Sequence, residues 1–581
     1  MSFRFSCRAV RRARRCVLAG LLAATFSGCG TAPGPALADE SSDQFLARVR
    51  IDVKKPPVSE HPAMDARFRD PEVTFNTPAF QEGRIRFTTQ PELQVILRNT
   101  AWASVKDNRK SETLVNLLAL GKSQAGVPIE ALLFTRRDGE KPLPALRDGR
   151  PTVMLMGQQH GDDPATAEAL LVVTQILSEG GSLNGLLDLI NVIVMPRTNP
   201  DGAALARAAT ASGIDLERDQ LYQQTPEARA VARAMEEFHP VVVVDSHEYP
   251  EQPDYLRRFG AEHRFDAFIQ YATPVNGHEF IAKAAEEWFR APMLESLQLP
   301  GLTAEWSHAM SANSGDPVIS GGGLRADVAR NVFGLRNLVS LKIETRGAGA
   351  GRQGLKRRMQ TQLVLMDSVL RSTAARAADL LKLRRYVENA VRAEACKGQV
   401  MLDARPTTGL HVLQLVDPAN GLDKAVEVQW ASPLASTARV HRARPCGYWL
   451  AADQATAVSS LRALGVKVEK LGAEAVLKGE APVAPAAAAR VPASVVAAAT
   501  PASAPAAVES VKDDKARKAP SVFTAPASSY YVPLNQPLAN LVVAALDPDA
   551  PNSYLAHGLV TSRDREARVT SPPKGKRTAL P

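Results

Sequence analysis

The sequence predicts an α/β protein: a mixed, largely parallel sheet flanked by helices, with a small accessory α/β domain and a disordered linker. Two observations carry this. Short apolar runs alternate with segments of helical composition between residues 150 and 345, and such alternation builds parallel sheets. His160, Asp163, His247 and Glu344 each fall just beyond one of those runs, where parallel sheets place their sites.

The elements follow in order. Residues 151–156 are an apolar run closed by Gly157 and read as a buried strand. Pro164 stands where a helix can begin, and 165–177 is rich in Ala, Leu and Val. A second apolar run, 187–195, ends before Pro196. Thr225-Pro226-Glu227 combines an N-cap, a first-turn proline and an early acid, opening a helix that ends before Pro240. Residues 241–244 form the third run, followed by Asp245-Ser246-His247, and 338–343 the fourth, followed by Glu344. Residues 371–394 read as a helix that closes this region.

Five stretches carry the chemistry: Gly157-Gln158-Gln159-His160-Gly161-Asp162-Asp163-Pro164, Asn199-Pro200-Asp201-Gly202, Gly213-Ile214-Asp215-Leu216-Glu217-Arg218-Asp219, Asp245-Ser246-His247-Glu248 and Ile343-Glu344-Thr345-Arg346-Gly347. A catalytic zinc takes three His or carboxylate ligands and keeps one position open for water. His160, Asp163 and His247 can supply the three, and Glu344 can serve as the base for that water. Each stretch alone has a plainer reading: a turn, a core histidine, a surface charge cluster or a structural salt bridge. Their order and placement together favour the metal site. His239, His263, His278 and His308 lie outside the pattern and read as structural or surface residues.

At these residues the chain resembles the zinc carboxypeptidases, the family of carboxypeptidase A, over roughly 110–395. The resemblance implies one Zn2+ per chain on His160, Asp163 and His247, and Glu344 as general base. It also implies Arg218 as the arginine for a substrate carboxylate and Arg207 as the one that polarises the scissile carbonyl. Two positions depart from the family pattern. Asp163 stands where a glutamate is usual and is one methylene shorter, so its loop must sit closer to the metal. Glu217 stands where the family has asparagine beside Arg218. A glutamate there would repel a substrate carboxylate unless it is protonated or paired with Arg218 or Arg207.

The function expected is that of a zinc-dependent peptidase, hydrolysing a peptide amide bond by metal-activated water. The substrate is a peptide, with a cell-wall peptide suggested by location alone. An amidase or deacylase on small N-acyl amino acids is the alternative, as is a catalytically weak binding protein that keeps the fold.

At 581 residues, with 45% hydrophobic and 23% charged residues, the chain is ordinary globular protein of several domains. Its +9 net charge includes six arginines in the first fifteen residues, and only +3 remains without them, which gives no argument for nucleic-acid binding. That segment reads as a signal peptide over 1–38, with an apolar stretch at 17–26 too short to span a bilayer. Phe26-Ser27-Gly28-Cys29 fits a lipoprotein exit that would anchor the chain to a membrane through Cys29. Ala36-Leu37-Ala38 fits ordinary cleavage. Export to the periplasm or as an outer-membrane lipoprotein follows from either. Of five cysteines only Cys396 and Cys446 lie in the body, a candidate disulfide in an oxidising compartment.

The remaining divisions are an N-terminal extension (39–110), the catalytic domain (111–395), a small accessory domain (396–472), an Ala/Pro-rich linker (473–527), a C-terminal docking segment (528–562) and a disordered tail (563–581).

Overall fold

The computed structural model describes residues 62–106, 112–136, 149–310, 318–480 and 521–580. The expected signal peptide and Cys29 lie outside them. All the elements below belong to the unit His61–Pro581. Eight strands make the main sheet: β1 (Thr113–Lys122), β2 (Pro128–Arg136), β3 (Thr152–Gly157), β4 (Asn191–Met195), β5 (Val242–Pro250), β6 (Ala267–Tyr271), β7 (Ala304–Glu305) and β8 (Val339–Ala348). Their spatial order is β1-β2-β4-β3-β5-β8-β6-β7. The central strands β4, β3, β5 and β8 are parallel. They are the four apolar runs of the sequence, and the mixed, largely parallel sheet is the fold class expected.

Burial explains why these runs are continuous. Val153, Leu155, Val242, Val244, Leu341 and Ile343 enter one core cluster, whereas Met154, Met156, Ile193 and Val243 enter another. Both faces of the sheet are therefore covered, as parallel strands require. β5 and β8 also run further than the apolar pattern suggested. They stay paired from Val339↔Val242 to Arg346↔Tyr249, and Glu344 sits directly opposite His247. Both residues thus lie inside extended strands rather than beyond their ends, because β6 and β8 continue the ladder on the other side.

Helix α1 (Pro164–Leu177) follows β3, with Asp163 at its N-cap position. Glu168 lies inside α1 and is already taken. It accepts hydrogen bonds from Thr77 Oγ1 at 2.5 Å, Thr88 N at 2.7 Å and Thr88 Oγ1 at 2.9 Å, which straps the N-terminal extension to the helix. Residues 371–394 are not one helix. They span the end of the helix Leu355–Ala375 and all of the helix Ala377–Ala393, which meet at Arg376, where φ −113° and ψ 16° leave the helical region.

The C-terminal third departs from the sequence reading. Gln399–Val416 and Asp423–Ala443 form a long hairpin that joins Val318–Ser320 and Glu262–His263 of the catalytic region in one sheet, so residues 396–472 are not a separate unit. Gly447–Leu450 instead belongs to a seven-stranded sheet with Tyr530–Pro533 and Glu566–Val569. The ends of the expected linker are strands, Ala475–Gly479 paired with Ser521–Ala525; residues 481–520 lie outside the described residues. The tail expected to be disordered carries Glu566–Val569 and Arg577–Ala579. The reason is charge pairing. Arg568 is 4% exposed and donates to Asp547 at 2.8 Å, Glu480 at 2.6 Å and Asp549 at 2.9 Å.

Cys396 and Cys446 form a disulfide. It closes a loop of 50 residues, for which loop entropy suggests a stabilisation of about 4 kcal/mol. Replacing both cysteines by serine should lower the denaturant midpoint and steepen the transition, because the uncross-linked unfolded chain exposes more surface. An unchanged midpoint would show that the cross-link adds nothing to stability.

Candidate active site

Three loops converge at the carboxyl ends of the central strands. His160 lies in the turn between β3 and α1. Gly161 brings that turn against Asn199-Pro200-Asp201-Gly202, and a Cβ on Gly161 would lie 2.0 Å from the Gly202 carbonyl carbon. Only glycine permits this approach. The second turn is built by its own residues. Asn199 Oδ1 accepts from Gly202 N at 2.9 Å, and Asp201 Oδ1 accepts from Ser123 Oγ at 2.6 Å. Asp215 caps the short helix α2 (Leu216–Asp219), accepting from Glu217 N at 2.9 Å.

Each of the two histidines has one ring nitrogen turned to a shared carboxylate and the other to a carboxylate of its own. Asp163 Oδ2 is 3.1 Å from His247 Nδ1 and 3.7 Å from His160 Nδ1. Asp215 Oδ1 is 3.2 Å from His160 Nε2, and Asp245 Oδ1 is 3.1 Å from His247 Nε2. Asp245 in turn accepts from Gln159 Nε2 at 2.7 Å, and Gln159 accepts from Gln220 Nε2 at 2.8 Å. Imidazoles that bind metal are held in this way by an outer carboxylate. Ligand atoms on one tetrahedral zinc, each about 2.1 Å from it, lie about 3.4 Å apart. The Asp163 distances bracket that value for two of the three ligand pairs, which suits a zinc ion between the histidines. Glu217 competes for the third place, because its ligand atom and those of His160 and His247 all lie within 4.8 Å. It approaches from the Nε2 side of His160, at 3.8 Å.

Glu217 is paired, but with neither Arg218 nor Arg207. Lys342 Nζ lies 3.1 Å from Glu217 Oε1 and 3.0 Å from Glu344 Oε1. Burial opposes charge on all three groups. Lys342 nonetheless holds the Glu217 carboxyl well below the usual range and the Glu344 carboxyl below it, while the two carboxylates raise the Lys342 ammonium. Glu344 is therefore ionised and able to accept a proton. Arg218 is half-exposed, 3.9 Å from Asp327, which Arg325 already holds at 2.6 Å. Arg207 sits on an exposed turn. Arg330, absent from the sequence reading, is 4% exposed; burial lowers its pKa, and Glu217 and Glu344 offset the effect. No local signal marks Arg330 or Lys342, since neither belongs to a motif. His263 and His308 are buried, and burial pushes His308 down to about 4, which suits structural roles.

The zinc carboxypeptidase family profile matches residues 101–234. The chain is 24% identical over 429 residues to carboxypeptidase 2 of Trichophyton equinum, covering 70% of this chain and 74% of that one. Carboxypeptidase 2 of Trichophyton rubrum is 26% identical over 364 residues, covering 60% and 65%. Residues 101–234 thus match a zinc carboxypeptidase domain, and the chain is similar to carboxypeptidases over most of its length. It is a metallopeptidase whose cofactor is one zinc ion. A metallo-carboxypeptidase from Pseudomonas aeruginosa, solved with (2-guanidinoethylmercapto)succinic acid, is 21% identical over 50% of this chain and 68% of its own, at a TM-score of 0.36. A likeness at that score adds nothing to the topology above. The family match ends before His247 and Glu344, which the β5–β8 pairing brings to the site.

His160→Ala and His247→Ala should each lose most of the zinc that the wild-type protein holds, as measured by elemental analysis. Asp245→Asn, one step further out, should weaken zinc binding by about 10- to 100-fold. Full zinc in the double histidine variant would place the ion elsewhere.

Proposed function

We propose that zinc is held by His160, Asp163 and His247, and that the protein removes a residue from a free peptide C-terminus. The observation that carries this is the register that sets Glu344 beside His247, with Lys342 keeping Glu344 charged. When bound, zinc polarises the scissile carbonyl and acidifies water. Glu344 takes the proton from the attacking water and passes it to the leaving amine. Arg218, with guanidinium donors to spare, binds the substrate carboxylate as a charge-assisted pair. Arg330, buried and within electrostatic reach of Glu344, is a better candidate than the exposed Arg207 to offset charge on the carbonyl oxygen.

Export is proposed on the arginine-rich start and apolar stretch of residues 1–38, supported by the Cys396–Cys446 disulfide, which suits an oxidising compartment. Among the described residues no helix is long and apolar enough to cross a membrane. A cell-wall peptide is the substrate that such a location favours, with Cys29 as the lipid anchor if the lipoprotein exit is used.

Glu344→Gln keeps the side-chain shape and removes the base. It should lower kcat by at least about 10²-fold on any peptide that the wild type cleaves, with zinc content unchanged. Equal turnover by variant and wild type would rule out Glu344 as the base.

A further inference from the structure

Lys342 lies on β8 two residues before Glu344, so both side chains leave the same face of the strand, while Leu341 and Ile343 enter the core. Glu217 arrives from α2, oriented by its Asp215 cap. The side chains of Lys342, Glu217 and Glu344 are only 10%, 9% and 14% exposed. An ammonium is a compact charge with three donors, able to serve two carboxylates at once.

We infer that Lys342 is a positioning residue that cancels the charge of Glu217 and fixes Glu344 in the same contact. This rests on the carboxypeptidase reading above. Glu217 and Lys342 act as a compensated pair, so the glutamate beside Arg218 does not repel a substrate carboxylate. Arg218 keeps its charge for that carboxylate, since Asp327, the acid nearest it, is bound by Arg325 at 2.9 and 2.6 Å. It follows that replacing Glu217 alone by a neutral residue does not improve the cleft. It leaves Lys342 paired with Glu344 alone, so that the ammonium neutralises the carboxylate proposed as the base.

The test uses the zinc-loaded full chain and one peptide with a free or an amidated C-terminus. Lys342→Met should lower kcat/KM on the free acid by about 100-fold, mainly through KM, and should collapse the preference for acid over amide. Adding Glu217→Gln should return that preference to within about threefold of wild type, the non-additivity expected of a coupled pair. If Lys342→Met fails to fold, Lys342→Gln, which keeps a polar head for both carboxylates but no charge, takes its place with the same expected loss and the same recovery on adding Glu217→Gln. A binding arm compares N-acetyl-leucine with N-acetyl-leucinamide by calorimetry in the same proteins, and the acid preference should follow the same pattern. If no peptide is cleaved by wild type while the binding pattern holds, the peptidase reading fails and the charge compensation stands. If Lys342→Met keeps the acid preference, or the double variant does not regain it, the role of Lys342 is overturned.

Discussion

The site depends on one pairing. β5 and β8 lie parallel with His247 opposite Glu344, and a shift of one residue would turn Glu344 into the core and Ile343 into the cleft. The register is held by fully buried apolar residues on both strands, Val242, Val244, Leu341 and Ile343. Catalytic geometry is thus set by hydrophobic packing beneath it. The loops from β3 and α2 only have to bring His160, Asp163 and Glu217 to a fixed platform.

Around that platform the charges are arranged so that none is buried alone. Asp163 lies between the two histidines, Asp215 and Asp245 face their far nitrogens, and Lys342 spans Glu217 and Glu344. Taking such groups out of water is costly, and removing one partner from a buried pair commonly costs about 3–5 kcal/mol. The network is better understood as orientation than as a source of stability. It keeps Glu344 ionised and leaves Arg218 facing the cleft for an anion.

The central strands were legible in the sequence because strands covered on both faces read as unbroken apolar runs. His160, Asp163, Arg218, His247 and Glu344 were legible because each sits in a short local stretch. What could not be read was pairing at a distance. Lys342 appeared only as a polar break in the run 338–343, and nothing in the sequence links it to Glu217. Arg330 lies in a stretch without motifs. In the C-terminal third, composition suggested solvated charge for Arg568, but its guanidinium is buried among Asp547, Asp549 and Glu480. The division of residues 371–394 between two helices carried no helix-stop residue at Arg376.

In the proposed site Asp163, rather than Glu217, joins His160 and His247 as the third zinc ligand. Zinc affinity measured by chelator competition for Asp163→Asn and Glu217→Gln decides between them. Loss of a direct ligand should weaken binding by more than the roughly 10- to 100-fold that an outer residue contributes, so Asp163→Asn should exceed that range and Glu217→Gln should stay within or below it. The reverse order would make Glu217 the third ligand and Asp163 an outer residue.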